Sequence, residues 1–346
     1  MRGDFQPVEI VGGGLAGLAL GLALRRHDVP VTILEAHDFP RHRVCGEFLA
    51  GLDELTMAQL SLAPLLADAR RHRNVGWFLR GRPVRTQRLP APALGISRFR
   101  LDARLADAFV AAGGSLRVNL RIALDAEPDG RVFAAGRRPG SSPWIGLKVH
   151  ARRMPLGGDL EVHLGEQAYV GLSRVENAET NVCGLFRRRP ISPDGPGAPG
   201  SDVLLRYLDA VGLAALARRL EAADLDQSSS CAVAGLSFRA PGPPARRICL
   251  GDHFAMPPPF TGNGMAMALQ SAALALDPLI AWARHQRSWL ETIAVVNRRL
   301  RRRFRTRLTS ANLIHPYLFE PGRQRWLMFA SRARLLPLRP LYYLTH

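Results

Sequence analysis

Lysine is almost missing from these 346 residues: Lys148 stands alone beside 46 arginines. A functional demand for guanidinium would not strip lysine from every surface, so the imbalance reads as a GC-rich coding bias. The single retained ammonium then marks either a neutral survivor or a site that wants a group able to give up a proton. Cysteine is scarce too. Cys45, Cys183, Cys231 and Cys249 lie far apart, with no CxxC pair and no zinc-site spacing, which argues against a disulfide framework or a structural metal. No uninterrupted apolar run reaches the roughly 20 residues of a membrane span. Val8-Glu9-Ile10-Val11 reads as a strand and not as part of a secretory leader. The expectation is a cytoplasmic protein, soluble or held only peripherally at a membrane. With 47% hydrophobic and 22% charged residues, intrinsic disorder is excluded.

The formal charge is +18, and +12 of it lies from Arg284 to His346, where 14 arginines face only Glu291 and Glu320. There Ile293, Val296, Leu300, Phe304 and Leu308 recur on one helical face, with Arg298, Arg299, Arg301, Arg302, Arg303, Arg305 and Arg307 on the rest. Such a helix can cover a core, lie on an anionic bilayer or dock an acidic carrier protein. Trp326, Phe329, Leu335, Leu336, Tyr342 and Tyr343 add apolar bulk beyond it. A nucleic-acid partner is not expected, because no stacking-aromatic motif or recognised binding module accompanies the charge.

Along the chain, residues 8–34 read as strand, glycine turn, helix and strand, a βαβ unit. A helical piece at 55–69 and a strand at 75–79 follow, then a helix over 97–112. Short strands at 145–150, 160–164, 168–172 and 181–186 predict antiparallel sheet. A Pro/Gly/Ser loop spans 190–201, a helix 203–223, and a buried strand at 248–250 opens onto a proline-glycine segment and a long helix. The predicted fold is α/β: a discontinuous nucleotide-binding domain (1–50, 95–140 and 240–283), an inserted antiparallel β-sheet domain (51–94 and 141–239) and a basic helical region (284–346).

Two motifs carry chemistry. In Gly12-Gly13-Gly14-Leu15-Ala16-Gly17, Gly12 permits the tight turn, Gly14 a close backbone approach to pyrophosphate, and Gly17 tight helix–strand packing. Glu35 ends the next strand, where a carboxylate binds ribose hydroxyls and repels a 2′-phosphate. In the second motif Asp252 follows a buried strand, and Pro257 to Met265, including Pro259, Gly262, Asn263, Gly264 and Met265, brings a helix N-terminus toward a ligand. Its dipole favours an anion, as in a reduced flavin.

Together with Pro40-Arg41-His42-Arg43-Val44-Cys45-Gly46-Glu47 and Ser97-Arg98-Phe99-Arg100-Leu101-Asp102, these motifs make the chain resemble the single-Rossmann FAD-dependent oxidoreductases of p-hydroxybenzoate-hydroxylase type, in the branch of geranylgeranyl reductases and flavin-dependent halogenases. The resemblance implies a glutathione-reductase-type FAD domain. It implies that Ala16 and Glu35 bind the ADP half with Ile122 near the adenine, that Arg98 meets pyrophosphate or ribityl, and that Cys45, Gly46 and Phe48 lie beside the flavin. Asp252 would hold the ribityl chain and pyrophosphate, and Gly264 with Met265 would face the isoalloxazine. Arg41 and Arg43 either touch the cofactor or are solvated loop charges.

The paired-tryptophan motif of the halogenases is absent, and Tyr169-Val170-Gly171-Leu172-Ser173-Arg174 lacks the Trp and Phe-Pro of the reductases. What the resemblance leaves first is a monooxygenase acting through a C4a-hydroperoxyflavin, with NAD(P)H as a transient reductant; C=C reduction, halogenation and oxidase chemistry are the alternatives. A similarity to flavoproteins that accompany bacterial type III polyketide synthases, on residues 146–150 and 181–186, implies an aromatic, polyketide or lipidic substrate, free or carrier-bound. Lys148 and His253 are the candidate catalytic residues, the first as a retained lysine on a substrate-domain strand, the second as the neighbour of Asp252. Packing roles are open for both, and for His150 on the strand face of Lys148.

Overall fold

The computed structural model describes residues 4–138, 140–190, 200–238, 246–333, 335 and 338–345. Most of the Pro/Gly/Ser loop, the start of the 240–283 segment and Leu336 lie outside them.

In chain order the chain runs β1 (Val8–Val11), α1 (Leu15–Arg25), β2 (Val31–Leu34), β3 (Phe48–Leu49), α2 (Glu54–Gln59), β4 (Arg70–Leu79), β5 (Arg82–Gly95) and α3 (Arg98–Ala111). Then follow β6 (Ser115–Arg117), β7 (Arg131–Phe133), β8 (Trp144–Arg152), β9 (Leu160–Gly165), β10 (Ala168–Arg174), β11 (Thr180–Arg187), α4 (Gly200–Ala210), α5 (Ala214–Glu221), β12 (Asp224–Ala234) and β13 (Ile248–Cys249). Helices α6 (Gly264–Ala283), α7 (Trp289–Phe319), α8 (Pro321–Arg332) and α9 (Leu338–Thr345) complete it.

One sheet is parallel, in the order β13-β7-β1-β2-β6. Its inner strands β1 and β2 bury apolar side chains on both faces, as expected of strands covered by helices on each side, and α1, α3, α6 and the first half of α7 share its core through Leu18, Phe109, Leu269 and Val296. By length and composition α6 is apolar enough to cross a bilayer, more so than the sequence reading allowed, but 72% of its apolar window is buried inside the protein.

The second sheet has eight strands, β12-β8-β11-β10-β9-β4-β5-β3. It is mixed rather than purely antiparallel, since β4 runs parallel to β9. The 55–69 helix shortens to α2 and one 3-10 turn, and the 203–223 helix breaks in two at Gly212, whose φ is +77°. Alternation divides this sheet's faces. Leu147, Val149 and Ala151 of β8 pack on α4 and α5, while Gly146, Lys148 and His150 point the other way, toward the parallel sheet.

The basic tail is helical, as its periodicity predicts. Ser288 and Glu291 form a reciprocal capping box at the start of α7. One residue departs from the pattern: Arg307, expected on the outer face, is buried, donating to Gln270 Oε1 at 2.8 Å. Burial and the neighbouring Arg303 bring its pKa down to about 10.

Candidate active site

A cleft of about 1270 Å³ separates the carboxyl edge of the parallel sheet from the inner face of the second sheet. Small-molecule pockets run to about 1,000 Å³, so the space suits more than one ligand. Its parallel-sheet wall begins where β1 ends. Gly12 turns at φ +113°, and a Cβ there would meet the Ala134 carbonyl oxygen at 2.3 Å. A Cβ on Gly17 would lie 2.0 Å from Gly12 O, so α1 crosses β1 only because Gly17 has none. Glu35, at the end of β2, is buried and accepts from the Gly13 N–H at 2.8 Å.

The segment between β2 and β3 forms the middle of the wall with Arg41, Arg43, Cys45 and Gly46. Buried guanidinium atoms of Arg41 (Nε) and Arg43 (Nε and Nη2) find no hydrogen-bond partner among the described residues. Arg43 has Asp102 at 3.3 Å and Glu35 at 3.8 Å as counter-charges; burial, and then the like charge of Arg98, still pull its pKa down. Arg98 enters from the first turn of α3, whose N-cap is Ser97, and forks onto Asp102 at 2.9 and 2.8 Å. Burial opposes its charge, but Asp102 outweighs it and the pKa rises. Asp252 opens into the cleft beside these cations. Enclosure by the cleft walls raises its pKa against the pull of Arg98, Arg137 and Arg43. Gly264 and Met265, in the first turn of α6, complete this half with Pro259, Gly262 and Phe48, and Ile122 lies at the far end.

The other half is largely apolar, though Arg73, Arg88 and Glu161 also reach its wall. Trp77 (β4), Val162 (β9), Tyr169 (β10) and Leu185 (β11) cover the inner sheet face, and Phe260, Ile314 and Leu318 face them from the loop before α6 and from α7. Burial raises the Tyr169 phenol well above its usual value, so it stays neutral.

Of the sequence-predicted residues, Gly12, Gly14, Ala16, Glu35, Arg41, Cys45, Gly46, Phe48, Arg98, Ile122, Asp252, Pro259, Gly262, Gly264 and Met265 share this one cleft. Gly17 lies behind it, in the packing role its Cβ clash explains. Asn263 is fully buried and donates to the backbone oxygen of Thr345, tying α9 to the turn before α6. His253 points away from the cleft, its Nδ1 3.1 Å from the Gly136 carbonyl and its ring near Phe133. Lys148 is buried beneath the 41–47 segment and is not on the cleft wall.

Lys148 instead completes a cluster that the sequence left unassigned. Its Nζ lies 3.4 Å from Glu47 Oε1 and 3.1 Å from His42 Nδ1, and Glu47 Oε2 meets His150 Nε2 at 2.6 Å. His150 Nδ1 continues to Glu179 at 3.3 Å. Burial alone would raise the Glu47 pKa, but the His150 hydrogen bond and the Lys148 charge lower it overall. Glu47 has φ +51°, uncommon outside glycine, and its segment is also pinned by Asn181 on Cys45 O (3.0 Å) and Ser173 on Gly46 O (2.8 Å). The lone lysine, with His150 on its strand face, hinted at this cluster, but His42 and Glu47 come from a segment far away in sequence.

A family profile for the NAD(P)-binding Rossmann-like domain matches residues 10–44. No curated protein sequence matches the chain. Among solved structures, Klebsiella pneumoniae HpxO in complex with FAD and uric acid superimposes with a TM-score of 0.73 at 15% identity, over 99% of this chain and 97% of that one. The flavin-dependent brominase Bmp2 gives 0.72 at 18% identity, covering 98% and 92%. Pseudomonas aeruginosa PqsL in complex with 2-aminobenzoylacetate gives 0.69 at 16% identity, covering 92% and 97%. Over nearly its whole length, the chain has the fold shared by these proteins.

Proposed function

We propose that the protein is an FAD-dependent monooxygenase that hydroxylates an aromatic, polyketide or lipidic substrate with NAD(P)H as reductant. The observation that carries this reading is the two-part cleft, in which a glycine turn, arginines with unsatisfied N–H donors and the start of α6 open directly onto a largely apolar chamber. The residues fit the cofactor. The unpartnered Arg41 and Arg43 atoms suit a diphosphate, Glu35 and Asp252 suit hydroxyls, and a Cβ on Gly46 would meet nothing within 4 Å, so a planar ring can lie against that backbone. Gly12, Gly14, Ala16 and Ile122 would hold the ADP half; Cys45, Phe48, Gly264 and Met265 would flank the ring. The parallel-sheet segments then act as the cofactor domain and the second sheet as the substrate domain.

Bound flavin would supply two-electron transfer from NAD(P)H and activation of O2. The chain's own residues supply the rest. The dipole of α6 favours negative charge at its N-terminus, Arg43 and Arg98 add positive charge, and the apolar chamber orients the substrate and excludes water. Leu313, Trp326 and Phe329 are exposed on α7 and α8, and the Tyr317 and Trp326 rings pack at 5.8 Å. With Arg302 and Arg305 also exposed on α7, these residues suit peripheral contact with an anionic bilayer or an acidic carrier protein. The test is turnover: O2-dependent NAD(P)H oxidation that yields a hydroxylated phenolic or lipidic product supports the proposal. Anaerobic saturation of a C=C bond, or halide-dependent product, would replace it with the reductase or halogenase reading.

A further inference from the structure

A second, smaller cleft of about 380 Å³ opens on the other side of the 41–47 segment, bordered by Phe99, His150, Glu179 and Asp226. His42 borders both clefts. Between them runs a series of proton-exchanging groups, joined by two hydrogen bonds and, at Glu47–Lys148, by an ion pair. His150, on the second cleft, meets Glu47 at 2.6 Å; Glu47 meets Lys148 at 3.4 Å; Lys148 meets His42 at 3.1 Å. We propose that His150, Glu47, Lys148 and His42 form a proton-conducting connection between the second cleft and the candidate active site, in which His42, on the border of both, delivers to the active site.

Three features support this. An ammonium has only donors, so Lys148 fixes His42 Nδ1 as an acceptor and places the neutral ring's proton on Nε2. Nε2 has no protein hydrogen-bond partner among the described residues, and the ring is held by stacking on Phe99 at 4.7 Å. Second, an arginine cannot release its proton in a protein, whereas a buried lysine can, and this chain places its only lysine at the centre of the series. Third, the proposed reaction needs such a route. O2 takes two electrons from hydride and two from the C–H bond that becomes C–OH; one oxygen leaves as water, and one proton per turnover comes from solvent. With cofactor and substrate filling the main cleft, the second cleft is the open side. The groups facing His42 are Lys148, His150, Glu47 and Asp226; burial, then Lys148 and His150, lower its pKa, while Glu47 and Asp226 oppose them. Glu179, itself held by Arg152 at 2.8 Å, faces His150, and the Arg98 N–H faces Glu47 at 3.0 Å.

The inference rests on the monooxygenase reading for its purpose, and two measurements separate them. Nitrogen-15 NMR of histidine side chains, on the protein with or without flavin, should show His42 as the Nε2–H tautomer titrating below 6.5, moving upward in Lys148→Met. A Nδ1–H tautomer, or no response to Lys148→Met, overturns the connection whatever the cofactor. In the flavin-loaded enzyme, His42→Ala should slow proton-dependent turnover on the order of 10²-fold, shift its pH profile and be rescued by added imidazole, with FAD affinity kept. His42→Gln or Lys148→Arg turning over with the wild-type pH profile and solvent isotope effect would overturn it.

Discussion

The Glu47–Lys148 pair offers a stability test with a worked magnitude. At 3.4 Å and an effective dielectric constant of about 20, the two charges attract by about 5 kcal/mol, against a desolvation penalty of several kcal/mol per ion. Lys148→Met leaves Glu47 buried, yet still held by His150 and the Arg98 N–H, so the cost should be about 3 kcal/mol, at the low end for breaking a buried pair. Glu47→Gln leaves an ammonium whose nearest remaining partner is His42, and should cost about 4 kcal/mol. The double variant should cost less than the sum, with a coupling of about 2 kcal/mol. Urea unfolding of the four proteins, with matched m-values, measures the cycle. Single variants within about 0.5 kcal/mol of wild type, or strict additivity, would refute the reasoning.

Three further outcomes are expected. Gly17→Ala should force α1 off β1 and cost about 3 kcal/mol or more, since the clash is with backbone; a thermal melt within a degree of wild type would contradict the packing account. Glu161, buried between His163 (2.8 Å) and Arg219 (2.9 Å), has its pKa brought down to about 2 by those bonds despite burial. A depressed carboxylate contributes stability that is present above its unfolded value of 4.5 and lost as pH falls toward 2. Glu161→Gln should therefore remove about 2 kcal/mol at neutral pH, after discounting for the partly exposed Arg219, and flatten the acid limb of stability. Trp326→Ser with Phe329→Ser should weaken co-sedimentation with phosphatidylglycerol vesicles several-fold while sparing FAD binding; unchanged sedimentation would remove the membrane surface.

The glycine-turn side of the cleft was legible in sequence because each of its motifs is local. A glycine turn between a β-rich run and an Ala/Leu helix, with Glu35 one strand later, specifies its own geometry. The second sheet was harder to read. β5 carries Pro83, Pro90 and Pro92 near the sheet's edge, where a strand tolerates proline, and the parallel pairing of β4 with β9 depends on a crossover that no periodicity reveals. Arg307 was placed outside because charge is normally solvated; Gln270, on a different helix, gives it a partner. Lys148 stood out by composition, as a candidate catalytic residue on a substrate-domain strand. Only the fold could show that the 41–47 segment covers it.

The proposed function requires the glycine turn, Arg41, Arg43 and Asp252 to form one FAD site. Equilibrium titration of the purified protein with FAD tests it directly. The prediction is saturable binding at one FAD per chain with quenched or shifted flavin fluorescence, weakened at least tenfold by Arg43→Ala with Asp252→Ala. A protein that takes up no FAD, or binds it equally well with both residues removed, would contradict it.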